Sequence, residues 1–317
     1  MIATGLLTKL FGSNVRTELR FIRKYYHFSL LKKRPIPFVI FSMDGKDFTY
    51  GFADRLRGII TAYAYAKANN LPFRIDHTEP FKIEDYYAPN EVNWLLNENE
   101  KDNNIVYTSP LVLLDYTKGK RLLYLPKWRQ YHIFANIGAL RLINKHFNTN
   151  YSYSNLFREL FKPSDYLLES LLPFEKYMQE GYISVSFRFM QLMGDFKDIG
   201  GNVLGIEEQN ELILKCHNFL YNIRNSNPTI PYILVTSDST KFMESLKGLD
   251  YVFYIPGKIG HIGFISSNEI HLKTLQDFYM ISKAKKAFMG YTGEMYKSHF
   301  AKSAADTTGI PYEAINF

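Results

Sequence analysis

The stretch Gly181–Asp195, GYISVSFRFMQLMGD, decides the fold. From Tyr182 to Phe189 it alternates strictly. Ile183, Val185, Phe187 and Phe189 point one way; Tyr182, Ser184, Ser186 and Arg188 point the other. A period of two predicts a β-strand over 182–189 with one face packed in a core. Ser186 and Arg188 share the polar face, about 7 Å apart. The strand runs out into a turn at Gly194-Asp195. In an open α/β sheet, ligands sit beyond the carboxyl ends of the strands. Arg188 stands at that end, and its planar guanidinium suits a phosphate. Taken alone, a solvated or salt-bridged strand arginine is the competing reading.

Downstream, the pattern predicts a Gly-rich loop 194–205, a helix 206–224, a strand Tyr232–Thr236 and a helix 240–247. A strand Tyr251–Ile255, a loop with Gly257, Gly260 and Gly263, and a helix 272–284 follow. A strand 286–289, a helix 294–306 and a last strand 312–316 close the chain. Five strands separated by helices describe a doubly wound, Rossmann-like domain. The second strand ends in Ser237-Asp238-Ser239. There Asp238 can accept paired donors from a guanine edge or ribose hydroxyls, or cap the next helix. Ser298 and Phe300 lie where a late helix begins, a place for a serine to meet phosphate.

Upstream, Phe38–Phe41 reads as a buried strand. A loop with Gly45 and Gly51, a helix Phe52–Asn69 and a strand Leu71–Ile75 complete a β–loop–α–β unit. The helix amino terminus offers backbone N–H groups to a phosphate, and Arg55 falls in its first turns. Short runs at Ile105–Tyr107, Leu111–Leu114 and Leu122–Leu125 read as further strands, and Ile133–His146 as a helix. The aromatic stretch 79–94, with Tyr86, Tyr87 and Trp94, suits sugar rings or ordinary packing equally well. Ser164 reads as a helix N-cap. The boundaries expected are a basic arm 1–35, a first α/β domain 36–178 and a C-terminal Rossmann-like domain 179–317.

Composition narrows the field. Of 317 residues, 46% are hydrophobic and 16% aromatic, enough for a large core. The net charge of +7 is concentrated: residues 1–34 carry eight basic side chains against Glu18 alone, and the rest is balanced at thirty of each sign. A neutral body argues against a nucleic-acid-binding protein. The basic amphipathic segment 1–34 reads either as a peripheral contact with an anionic membrane or as a leading helix packed on the domain. Cys216, the lone cysteine, sits at a helical core position and fits a reducing compartment. No apolar run reaches the ~18 residues of a membrane span, and MIATGLL is a poor signal peptide. A cytoplasmic location is the expectation. No GxGxxG follows a strand, which argues against a dinucleotide oxidoreductase; a Rossmann methyltransferase is the neighbouring alternative.

Four segments, in order, resemble the fucosyltransferase-like superfamily of glycosyltransferases. Gly51-Phe52-Ala53-Asp54-Arg55-Leu56 is similar to its G-[FL]-G-[ND]-R/Q-L element. Val185-Ser186-Phe187-Arg188, with Gly194-Asp195 beyond, is similar to H-x-R-R-G-D. Val235-Thr236-Ser237-Asp238 resembles its T-D strand end, and Ser298-His299-Phe300-Ala301 before Ala304-Ala305 resembles S-x-F-S…A-A. Ser186 stands where the pattern has His, Phe189 replaces the second Arg, and Met190–Met193 separate it from Gly194-Asp195.

The resemblance implies an α/β, GT-B-like fold with two Rossmann-like domains facing a cleft. It implies metal-independent, inverting transfer of fucose from GDP-fucose to a glycan hydroxyl, in bacterial polysaccharide biosynthesis. Arg188 would hold the β-phosphate of the departing GDP, Asp238 the guanine, and Ser298 and Phe300 the diphosphate region. Ser186 would stand beside the donor. Gly51, Phe52 and Arg55 would meet it from the first domain. Asp195, Asp44 and His261 are candidates for the general base. Another nucleotide sugar on the same fold, or a non-catalytic nucleotide- or glycan-binding relative, are the alternatives. A lipid-linked glycan at the inner membrane would give the basic arm a purpose.

Overall fold

The structure is a computed structural model that describes residues 18–30, 36–43, 51–114, 116–196, 202–260 and 267–317. Asp44, His261 and Gly263 lie outside the described residues. The chain divides into two compact units, Met1–Glu84 with Ala88–Lys162, and Asp85–Tyr87 with Pro163–Phe317.

The first unit begins with helix α1 (18–25), followed by β1 (Val39–Met43), α2 (Phe52–Ala68) and β2 (Phe73–His77). After β3 (Tyr87–Pro89) come β4 (Thr108–Leu113), β5 (Gln130–Ala135), α3 (Leu140–Phe147), α4 (Tyr153–Leu160) and the short β6 (Phe161–Pro163), which pairs with β3. The main sheet has the order β2-β1-β5-β4, all parallel. Helix α2 lies so close on β5 that a Cβ on Gly58 would stand 1.9 Å from the Ala135 carbonyl oxygen. Glycine is required there by contact.

Several expectations for this unit are corrected. Residues 105–107 form a turn, and 116–124 a 3-10 helix instead of a strand. The stretch read as one helix over Ile133–His146 is β5 followed by α3. All six residues of β5, polar Gln130 and His132 included, are buried between two neighbouring strands, and its apolar run Ile133–Ala135 is too short to tell a strand from a helix. The aromatic stretch is packing. Trp94 is fully buried with its indole N–H on the Leu160 carbonyl at 2.6 Å, and Phe81, Tyr86 and Tyr87 are buried too.

Helix α1 is packed on this unit. Phe21 stacks on Phe134 at 4.7 Å, and buried Glu18 accepts from the Val112 N–H and from both terminal nitrogens of Arg121. The single acidic residue of the basic stretch is the one turned inward.

The second unit takes in α5 (Asp165–Ser170) and α6 (Glu175–Glu180), so the units part at Lys162–Pro163 and not at 178. Ser164 caps α5 as expected, accepting from Leu167 N–H, and Gln276 donates to the Ser170 carbonyl. Then follow β7 (Tyr182–Phe187), α7 (Ile206–Ser226), β8 (Tyr232–Ser237), α8 (Thr240–Ser245), β9 (Val252–Phe253), α9 (Asn268–Lys283), β10 (Ala287–Tyr291), α10 (Phe300–Thr308) and β11 (Tyr312–Asn316). The sheet order is β11-β10-β7-β8-β9, all parallel. The chain winds outward from β7 through β8 to β9, then returns to the other side of β7 for β10 and β11. That is the Rossmann order read from the sequence, with the reversal between β7 and β10.

β7 itself corrects the reading of one packed face. All six of its residues are buried. Phe187 meets Phe189, Phe219, Phe242 and Phe317 on one face. On the other, Tyr182 donates to the Met280 carbonyl on α9, and Ser184 is fully buried. A central parallel strand is covered by helices on both faces; hydroxyl groups on its polar face only mark the second layer. Cys216 packs in the Phe187 cluster, where burial pushes its thiol pKa up.

Candidate active site

The strand order puts the candidate site of the second unit at the carboxyl ends of β7 and β10, where the winding reverses. β7 ends at Phe187, so Arg188 is the first residue beyond the sheet. Its side chain is 23% exposed. Its Nε lies 3.2 Å from Oδ2 of Asp238, and its head sits over the Phe196 ring at 4.6 Å. Such a fixed, partly exposed guanidinium can meet an anion without first paying the entropy of ordering itself.

Asp238, at the end of β8, is 4% exposed. One oxygen accepts from the Phe189 N–H at 2.8 Å and the other from the Met190 N–H at 2.8 Å. It therefore clamps the loop that follows β7. Burial pushes its carboxyl pKa up, opposed by Arg188 and the two backbone donors. The clamp holds Met190 in the left-handed region, φ 55°, which costs a non-glycine residue about 1 kcal/mol. Asp238 does not cap α8. Ser239 does, accepting from the Phe242 N–H at 3.1 Å.

Asp195, exposed, joins that cap: its Oδ2 accepts from the Ser239 hydroxyl at 2.9 Å and the Lys241 N–H at 2.7 Å. Ser186 is 7% exposed, with its hydroxyl 2.7 Å from that of Thr236, its register partner on β8.

The loop between β10 and α10 joins the same place. The Tyr296 N–H donates to the Arg188 carbonyl at 3.0 Å. Two residues on, the Ser298 hydroxyl accepts from the Phe300 N–H at 3.2 Å. Phe300 is half-buried with its ring on Phe278 of α9. Arg188, Asp195, Asp238 and Ser298 thus lie on the segments that follow β7, β8 and β10, at the carboxyl ends of neighbouring strands. Thr236, Phe196, Met190 and Tyr296 are partners the sequence did not single out as such. Register opposite Ser186 was the signal available for Thr236; nothing local marked Tyr296 or Phe196.

Gly51, Phe52 and Arg55 belong to the first unit. Gly51 is the N-cap of α2, in extended conformation, and a Cβ there would meet nothing within 4 Å. Phe52 is buried against Phe81. Arg55 is fully buried: Nη1 donates to the Glu79 carbonyl at 2.9 Å and lies 3.1 Å from His77 Nε2. Burial lowers its pKa to about 10, still charged at neutral pH. Expected as a contact beside a bound phosphate, Arg55 instead ties α2 to the end of β2.

The sequence matches no protein-family model and none of the curated proteins. Solved structures do resemble it. A mutant of Arabidopsis thaliana FUT1 in complex with GDP is 14% identical, covers 97% of this chain and 76% of its own, and superposes with a TM-score of 0.57. The fucosyltransferase NodZ from Bradyrhizobium is 14% identical over 86% of this chain and 92% of its own, with a TM-score of 0.49. The likeness to FUT1 shows a shared fold, which is α/β and GT-B-like, as the sequence implied.

Proposed function

We propose that this protein is an inverting, metal-independent glycosyltransferase that moves fucose from GDP-fucose to a hydroxyl of a glycan. The observation that carries the reading is Arg188, fixed by Asp238 at the reversal point of a parallel sheet and left partly exposed there. When a glycosyl bond to a nucleoside diphosphate breaks, negative charge grows on the leaving diphosphate. A positioned guanidinium meets that charge in the transition state, which is the efficient form of electrostatic catalysis. Ser298 and the N–H groups that open α10 would hold the diphosphate beside it. Asp238 acts in this reading through Arg188, because its oxygens face the β7 loop rather than a base edge. Asp195 is a positioning residue for α8. The GDP in the FUT1 structure supports a guanine nucleotide as donor.

The acceptor in this reading is a glycan, lipid-linked on the cytoplasmic side of a bacterial inner membrane, in polysaccharide assembly. Turnover assays with GDP-fucose, GDP-mannose and UDP-glucose, against a glycan acceptor panel with and without chelator, test it. Release of GDP matched by a fucoside of inverted anomeric configuration, unchanged by chelator, is the expected result. Turnover of UDP-glucose alone would replace the sugar; nucleotide binding without transfer to any acceptor would point to a non-catalytic relative.

A further inference from the structure

The outer surface of α1 and the segment after it combine two features. The helix turns Glu18 and Phe21 inward, which leaves Leu19, Arg20, Arg23 and Lys24 exposed on the opposite side. The chain then presents Tyr25 at 37%, Phe28 at 69% and Leu30 at 71% exposure, while Tyr26 between them turns in to His132. Every exposed charge from 18 to 30 is positive, because Glu18 is buried in its pair with Arg121. Outside residues 1–34 the sequence is balanced in charge. Glu18 and Phe21 tie α1 to the unit from its inner side.

We propose that this surface docks the protein on an anionic lipid bilayer, with Phe28 and Leu30 entering the interface and Arg20, Arg23 and Lys24 facing the headgroups. Charge complementarity selects the occupant. A basic cluster flanked by large apolar side chains matches a surface with anionic heads over hydrocarbon. A second copy of this chain would bring like charges together. Among the described residues no helix is long and apolar enough to cross a membrane. The inference is independent of the donor chemistry.

Sedimentation of the full chain with phosphatidylcholine vesicles, with and without phosphatidylglycerol, tests it. The wild type should partition to the anionic vesicles and release in high salt. The triple variant Arg20→Ala/Arg23→Ala/Lys24→Ala should lose about 100-fold in partition. Phe28→Ser/Leu30→Ser should lose at least about tenfold. Leu214→Ser, as exposed at 61% but on α7, is the control and should change nothing. Equal binding to both vesicle types, or an equal loss in Leu214→Ser, would overturn the proposal. So would a concentration-dependent dimer abolished by Phe28→Ser/Leu30→Ser with no vesicle binding. Circular dichroism of the variants excludes loss of α1 packing as the cause.

Discussion

Two arginines stand at comparable places in the two units. Arg55 opens the helix that follows β1 and Arg188 follows β7, each at the carboxyl side of a parallel sheet. Arg55 is fully buried and ties α2 to His77 and the Glu79 carbonyl. Arg188 keeps 23% of its side chain exposed and is held from the side by a carboxylate. The same residue type thus serves as an internal brace in one unit and as a fixed cation at a surface in the other. What separates them is which groups the surrounding loop supplies. Backbone carbonyl and imidazole draw the first inward; a carboxylate that also clamps the loop fixes the second at the edge.

The contrast breaks most visibly at Arg188. Arg188→Lys should lower turnover by about 100- to 1,000-fold, the loss seen when a fixed transition-state donor is removed, because a point charge cannot reproduce the fork. Its melting temperature should stay close to wild type. Equal turnover in the two proteins would put Arg188 outside the chemistry. Arg55→Ala should do the reverse. Leaving His77 and the Glu79 carbonyl without their donor should cost roughly 3 kcal/mol of stability in urea titrations. Donor affinity of the folded variant should be unchanged; a stable variant that has lost donor binding would make Arg55 a ligand contact after all.

Asp238→Asn sharpens the comparison at intermediate size. An amide has one acceptor oxygen, so one of the Phe189 and Met190 N–H groups would face an NH2 group. The variant should lose about 1–3 kcal/mol of stability and part of kcat. If Asp238 acts through Arg188, adding this change to Arg188→Lys should lower kcat little further; fully multiplicative losses would separate the two residues.

The smallest effect is one of pH and belongs to the first unit. His132 is fully buried between Tyr26 and Gln130, and burial holds its pKa well below the ordinary 6.5. Its folded pKa is depressed, so the unfolded chain takes up a proton first as pH falls. Stability from this group is present above about pH 6.5 and is lost below it, by up to about 1.4 kcal/mol per pH unit. Urea titrations between pH 7.5 and 5 should show that slope, reduced in His132→Gln. An identical slope in both proteins would assign it to other groups.

How far the sequence could be read follows from the same contacts. In the second unit, alternation in Tyr182–Phe187 and helical spacing at Leu212, Cys216, Phe219 and Ile223 are local signals, and they led to the right order of strands and helices. What covers the polar face of β7 was not legible. That depends on Met280, some hundred residues away, to which Tyr182 donates. In the first unit β5 was hard to read because its apolar run, Ile133–Ala135, is too short to tell a strand from a helix, and its polar Gln130 and His132 are buried with it. That Arg188 and Asp238 stand just beyond the carboxyl ends of neighbouring strands was legible. The way they work together was not, since Asp238 engages the backbone of Phe189 and Met190, and backbone N–H groups leave no mark in sequence.

The most direct test of the central claim is calorimetric titration of the full chain and of Arg188→Ala with GDP and GDP-fucose, without divalent metal. Both ligands should bind the wild type at about micromolar concentration and Arg188→Ala at least about a hundredfold more weakly, a loss of about 2.7 kcal/mol. No binding to the wild type, or equal binding to the two proteins, would contradict it.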